Sequence, residues 1–372
     1  MNEVKWMMNF LNNMNLLPKN FIVANVVEVL KEDPENGVEK LYEMSQTFVT
    51  DPQVKSIVGQ IKGYYDTHPS IKRYIKNMIY NTNKTCLNYF LQNVAVKELW
   101  EGLPKREQLS AQYRIHIPHA IVIDLGMNDS LSSQGCSPQF DPNLAMPLPE
   151  VNRLVLEAKE LGIHQILITG GDPFLNDSLL KMYEKHNDVE FMVLTNGSLL
   201  NDQRCLTLSK LGNVFPLILL EGNKEQVSES IQGSAYEEIM AGLERLKSYG
   251  ILFGAITPVK RSTLKLISSD DFILPLIRKG SRLNAYVITH DEPLQPQEYE
   301  ELEARVSFIR QTRPYVTFLL RSSQPFVCRR LVGPFYFDYE LNGQKQQIHL
   351  PQVNVQNSQN KQLLQVLREM NS

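Results

Sequence analysis

Asp129, Ser133 and Cys136 share the stretch Ile123-Asp-Leu-Gly-Met-Asn-Asp-Ser-Leu-Ser-Ser-Gln-Gly-Cys136, three residues separating the first two and two the last pair. The three side chains differ in donor type. Thiolate is a soft ligand that suits iron; carboxylate is harder, and a serine hydroxyl is still protonated at neutral pH. Only Cys136 offers the thiolate. Further polar residues follow short apolar runs: Gly170-Gly171-Asp172-Pro173, Thr195-Asn196 and Glu221. Paired glycines let a ligand or another backbone come close, Pro173 fixes the exit, and Asp172 can cap the next helix. Asp129, Asp172 and Glu221 on one edge would repel, raising one pKa toward the range of general acid/base chemistry. No histidine, lysine or nucleophile accompanies them, and each has a plain role as cap or loop anchor.

The elements that must position these residues change character along the chain. Residues 1–116 read as helical, with apolar residues spaced for one face in 25–31, 37–44 and 54–61, and one longer amphipathic helix over 70–91. From 117 to 320, strands alternate with helices. The strands are 120–125, 165–169, 190–195, 214–220, 251–257 and 283–289, with one more at 315–320. Helices over 151–161 and from Ser268 fall between them. Alternation of this kind builds a parallel sheet with crossover helices, and it brings the polar strand ends to one edge. Residues 321–372 form a tail in which Asn342-Gly343 marks a β-hairpin between 335–341 and 344–350, followed by a helix over 360–370.

Composition narrows the function classes. The chain has 372 residues, 42% hydrophobic and 21% charged, with a net charge of −3. That balance gives no electrostatic reason to expect nucleic acid or an anionic membrane as partner. No run suits a membrane span or a secretory signal, so the expected location is cytoplasmic. Four dispersed cysteines form no CxxC pair, and His116 and His119 lack companions for a zinc site.

The order of these motifs resembles the radical S-adenosylmethionine (SAM) superfamily. There the first loop reads Cys-x3-Cys-x2-Cys and holds a [4Fe–4S] cluster. The likeness extends through Asn93, Gly102-Leu-Pro-Lys-Arg-Glu107, Ile117–Leu125, Ser133–Cys136, Lys185-His-Asn-Asp188, Leu220-Glu-Gly222 and Arg310-Gln-Thr-Arg-Pro314, about residues 70 to 345. It implies a partial (β/α)6 TIM-like barrel with a helical N-terminal region and a C-terminal β-hairpin extension. It also implies a SAM pocket at the mouth formed by Gly170, Gly171, Asp172, Pro173, Thr195, Asn196 and Glu221.

The departures concern the cofactors. Asp129 and Ser133 replace two cluster cysteines, so no [4Fe–4S] cluster and no metal are expected. Leu219 stands where this branch has a pocket serine. Ile231 begins the stretch aligned with a SAM-binding arginine, and Cys328 lacks the second cysteine of a C-terminal pair. The expectation is a pseudoenzyme: a non-catalytic scaffold or regulatory partner of an intact relative or biosynthetic enzyme. The alternative is an enzyme that keeps the mouth pocket, with or without SAM, and has changed its chemistry. An intact enzyme with an unusual cluster needs ligands this sequence does not show. Substrate, partner and oligomeric state are not encoded in these motifs.

Overall fold

The computed structural model describes residues 19–48, 52–126, 145–222, 235–288, 292–322, 335–341, 344–359 and 361–371. Seven parallel strands pair in chain order: β1 (Ala120–Asp124), β2 (Gln165–Thr169), β3 (Glu190–Thr195), β4 (Val214–Leu219), β5 (Gly254–Val259), β6 (Leu283–Ile288) and β7 (Val316–Ser322). Before them come α1 (Lys19–Glu32), α2 (Gly37–Phe48), α3 (Pro52–Thr67), α4 (Pro69–Asn81), α5 (Lys84–Phe90), α6 (Leu91–Gly102, wound with wide π-type turns) and α7 (Leu103–Tyr113). Between the strands lie α8 (Leu148–Glu160), α9 (Asp177–Lys185), α10 (Asp202–Leu211), α11 (Ala235–Ser248), α12 (Leu264–Ile267), α13 (Asp270–Lys279) and α14 (Pro296–Thr312). The result is the α/β partial barrel that the alternation predicts. Among the described residues, no helix is long and apolar enough to cross a membrane.

A period of two along the strands separates two apolar layers. Ile121, Ile123, Ile166, Ile168, Phe191 and Val193 pack outward with helix residues such as Leu154, Val155 and Leu179. Val122, Leu167, Leu194, Leu217, Ile256 and Val287 form the inner layer, against which Met78 of α4 and Phe90 of α5 pack. Burying each such side chain contributes ~1.5–3 kcal/mol. The fold therefore rests on these layers, and polar residues at the strand ends can be lost without unfolding it.

The tail joins the same sheet. β8 (Phe335–Leu341) runs antiparallel to β7 and to β9 (Gln344–Leu350), while β10 (Gln352–Val353) pairs in parallel with β1. Val122 N–H donates to the Pro351 carbonyl at 2.9 Å. One stretch, 344–353, thus lies along β8 and then along β1, covering the edge β1 would otherwise leave open. Two residues are too short to show a period, and the sequence gives no sign of β10. Helices α15 (Val355–Ser358) and α16 (Leu363–Asn371) follow. The turn Asn342-Gly343 lies outside the described residues, although Leu341 pairs directly with Gln344.

Two expectations are corrected. The single helix over 70–91 is broken at Thr82-Asn83. Asn83 Oδ1 accepts the Cys86 N–H at 2.8 Å and so starts α5, while its own N–H donates to the Gly250 carbonyl at 2.7 Å. Tertiary bonding at a good N-cap residue outweighs continuous apolar spacing. The strand expected from Ile251 begins instead at Gly254. Gly250 takes a left-handed φ of 66°, and Ile251 N–H reaches back to the Leu246 carbonyl, so 251–253 complete the helix stop before the strand starts.

The N-terminal helices dock on the base of the barrel through a buried ion pair. Arg106 Nη2 lies 2.6 Å from Glu98 Oε1, with both side chains 3% exposed. Arg106 also donates to the Gly162 carbonyl and lies 2.9 Å from His119 Nδ1, while the His164 N–H reaches Glu98 Oε2. A Cβ at Gly102 would stand 2.4 Å from the Gly162 oxygen, so the close approach of α6 to this loop requires glycine.

Candidate functional site at the barrel mouth

The ends of β2 and β3 are tied together by one carboxylate. Asp172 Oδ1 accepts the Phe174 N–H at 3.0 Å and caps the short 3-10 turn Pro173–Leu175. Its Oδ2 accepts the Thr195 hydroxyl at 2.7 Å and the Asn196 N–H at 3.3 Å. Thr195 Oγ1 in turn accepts the Gly197 N–H at 3.1 Å. Burial raises the Asp172 pKa, opposed by the bonds from Thr195, Phe174 and Asn196. Asp172 is thus a brace at the mouth. Its shift comes from burial, and its oxygens are already committed, which argues against the expected trio of repelling carboxylates. Glu221 instead faces Lys260, with Nζ 3.6 Å from Oε2.

Gly170 and Gly171 have φ of 89° and 93°. A Cβ on Gly170 would lie 1.9 Å from Asp124 Oδ1 and 2.6 Å from the Leu125 nitrogen. The glycine pair therefore serves first to let β1 and β2 meet at their ends. We expect Gly170→Ala to lower stability by ~3 kcal/mol, against ~1 kcal/mol for Gly197→Ala, whose Cβ would have only ordinary contacts. Chemical denaturation of the two variants checks this, and equal losses would show that the close approach is unimportant.

Two residues missed as site candidates belong to the mouth by register. Asp124 and Thr169 lie two positions beyond Val122 and Leu167, on the inner pleat face, and alternation counted from those residues would have found them. Asp124 Oδ1 accepts the Gly126 N–H, and its Oδ2 accepts Gln352 Nε2 at 3.1 Å. Thr169 is 1% exposed, and its hydroxyl has no hydrogen-bond partner. Asn196 accepts the Ser198 N–H through Oδ1. Leu219 lies against the margin of the inner layer, an apolar wall where a serine would offer a hydroxyl.

Asp129, Ser133 and Cys136 lie outside the described residues, as do Ile231 and Cys328. Among the described residues no group of three or more His, Cys, Asp or Glu side chains is placed to hold a metal. Burial pushes the Cys86 thiol up to about 12 and Cys205 to about 11, so both pack as inert small hydrophobes. His119 bonds to the Glu98–Arg106 pair, in keeping with a structural role. A groove of about 730 Å³ runs outside the barrel between α9 and α10, lined by residues including Tyr89, Lys181, Arg204 and Lys210, and includes none of the mouth residues.

Residues 129–265 match the radical SAM superfamily. Among curated proteins, a GTP 3′,8-cyclase of Synechococcus sp. (strain CC9902) is 28% identical over 158 residues, 38% of this chain and 46% of that protein. An AdoMet-dependent heme synthase of Oleidesulfovibrio alaskensis is 27% identical over 170 residues, 41% of this chain and 42% of that protein. These matches span less than half the length of either relative. Among solved structures, SuiB of Streptococcus suis bound to S-adenosylmethionine superposes with a TM-score of 0.48 at 17% identity, covering 58% of this chain and 54% of that one.

Proposed function

Because the chain belongs to the radical SAM superfamily yet carries Asp129 and Ser133 at two of three cluster positions, we propose that it binds SAM or a related adenosyl compound without radical chemistry. The observation that carries this reading is the buried, unpartnered Thr169 hydroxyl on the inner face, beside a Gly-Gly turn braced by Asp172. A buried hydroxyl left without a partner costs ~1–3 kcal/mol, and a ligand atom at the mouth would remove that cost. Thr169, Gly171 and Asn196 are the groups we assign to the ligand, with Gly170, Asp172, Pro173 and Thr195 holding their frame and Glu221 with Lys260 at the rim. SAM would supply an adenosyl and methionyl group for recognition. That one similar protein is named AdoMet-dependent supports trying this ligand first.

The donor set does not fit a [4Fe–4S] cluster, because one thiolate stands where three irons each need a ligand. In this reading the protein is a pseudoenzyme with respect to radical chemistry. Isothermal titration with SAM and S-adenosylhomocysteine tests the pocket. We expect micromolar binding, weakened about tenfold by Thr169→Val; absence of heat with both ligands would remove this reading. Anaerobic iron–sulfide reconstitution is expected to load no four-iron cluster on the natural protein. The Asp129→Cys/Ser133→Cys variant is expected to take one up. A reduced-cluster EPR signal from the natural protein that shifts with SAM would overturn the proposal.

A second reading, a scaffold or regulatory partner of an intact relative or pathway enzyme, draws on one observation. Both apolar layers of the barrel persist while the thiolates do not. Co-migration with a cluster-bearing relative in size exclusion, without adenosyl binding, would favour it. The division into a helical N-terminal region (1–116), a partial barrel (117–320) and a C-terminal extension (321–372) stays part of this proposal, the first and last offering surfaces to such a partner.

A further inference from the structure

At the opposite end of the barrel, Arg282 precedes β6 and is only 8% exposed. Its backbone is fully used: the N–H donates to the Phe253 carbonyl at 2.9 Å, and its carbonyl accepts the Val316 N–H at 3.2 Å. Its side chain is not. Among the described residues no carboxylate pairs with the guanidinium and no acceptor takes its hydrogens, unlike Arg106, Arg153, Arg204 and Arg305, which each have a carboxylate within 3 Å. Two positions on, on the same pleat face, fully buried Asn284 accepts the Thr257 hydroxyl through Oδ1 and leaves Nδ2 unpartnered. The neighbouring hydroxyl of Tyr315 is engaged by Ser281 and the Leu283 carbonyl.

The groups without a protein partner are therefore donors, on two residues of one strand face: Asn284 Nδ2 is sealed from solvent, whereas the Arg282 nitrogens keep contact with it and can be reached by a ligand. A largely buried guanidinium without a counter-charge keeps only part of its solvation, and its five N–H groups form a planar fork suited to two oxygens at once. Burial lowers the Arg282 pKa, and only Tyr74 and Tyr315 act in the other direction, with no carboxylate contributing. The Arg282 charge is also felt at Tyr74 of α4, which is therefore within electrostatic reach of it. A cation or an apolar ligand would leave these donors unmet.

We propose that Arg282, with Asn284 on the same strand face and Tyr74 within electrostatic reach, is a binding site for a compact oxyanion at the base of the barrel, distinct from the mouth. The ligand class is a phosphate- or carboxylate-bearing small molecule, held by the guanidinium fork at the start of β6. Such a site would fasten the N-terminal helices to the sheet when filled.

The test is titration of the full chain with sodium phosphate and with sodium acetate against sodium chloride at matched ionic strength, read by calorimetry and by Tm. We expect saturable binding and a rise of Tm for phosphate or acetate beyond chloride. A response to phosphate alone assigns a phosphate-bearing ligand, and a response to acetate alone assigns a carboxylate. Arg282→Met is expected to weaken binding at least about tenfold, and Tyr74→Phe by a smaller factor. Arg282→Lys keeps the charge without the fork and is expected to fall between, which covers the case in which the methionine variant does not fold. No response beyond chloride in the natural protein, or unchanged affinity in Arg282→Lys and Tyr74→Phe, would overturn the proposal.

Discussion

Replacing Glu98 with leucine is expected to destabilise the protein by ~3–5 kcal/mol, the range for breaking a buried ion pair from one side. Glu98 and Arg106 are each 2% exposed, so the guanidinium left behind cannot reach water to recover its solvation. Its remaining partners are the Gly162 carbonyl and His119. The His164 N–H would also lose its acceptor. Removing both charges should behave differently, because no uncompensated ion remains: Glu98→Leu/Arg106→Met is expected to recover most of the loss. Equilibrium denaturation in urea of the two single variants and the double variant measures the coupling. A Glu98→Leu loss below about 1 kcal/mol would mean the pair behaves like a surface contact.

The position of this pair gives the prediction its functional weight. Glu98 lies on α6 and Arg106 on α7, whereas Gly162, His164 and His119 belong to the chain entering β1 and β2. The pair thus couples the helical N-terminal region to the strands that carry Asp124 and Thr169 to the mouth. On the proposed reading of the mouth, a protein with Glu98→Leu that remains folded should also bind an adenosyl ligand more weakly, since the two strand ends meet only within the tolerance set at Gly170.

How much of this arrangement could be read beforehand follows the physics of each signal. Strands β2 and β3 have the bounds that their apolar runs suggest, and β8 and β9 those that the Asn342-Gly343 signal suggests, because pleat alternation and turn residues are local. The break at Asn83 was not legible: it depends on Gly250 and Tyr249, far away in the chain. Asp172 was legible as a cap, but its second role, bonding Thr195 and Asn196 across to β3, is a contact between strands and leaves no mark in spacing. Gly102 and Asn93 were noticed only through family likeness. The structure supplies their causes, a close approach to Gly162 and a hydrogen bond to buried Glu190. Lys185–Asp188 has a similar explanation, since His186 bonds Asn152 and Asp188 pairs with Lys159 to hold α8 to α9. Much of the shared motif set therefore maintains the barrel and says little about chemistry, which is why it can persist beside Asp129 and Ser133.

Glu190 should make the protein lose stability as pH rises from about 4.5 to about 8. This carboxyl begins β3, is buried, and has its pKa pushed up to about 8 by burial, with the bond from Asn93 opposing. Its folded pKa lies above the unfolded value near 4.5, so the folded state holds the proton more tightly. The stability tied to that proton is full below the unfolded value and is lost as pH passes up through the folded one, at ~1.4 kcal/mol per pH unit. A neutral Glu190 also accounts for Asn93. Its Nδ2 approaches Glu190 Oε2 at 3.4 Å while its Oδ1 has no partner, and a protonated carboxyl carries a donor that a carboxylate lacks. Glutamine reproduces that donor and acceptor pair without a charge, so Glu190→Gln should flatten the loss above pH 5. Buried His164 and His186, whose pKa values burial lowers, act in the other sense as pH falls through the imidazole range. The difference between natural protein and variant, measured by denaturation at pH 5.5 and 8.5, therefore isolates Glu190. An expected gain for the variant at pH 8.5 on the order of 3 kcal/mol, relative to pH 5.5, follows from the slope; parallel profiles would mean that the carboxyl is already ionised in the folded protein.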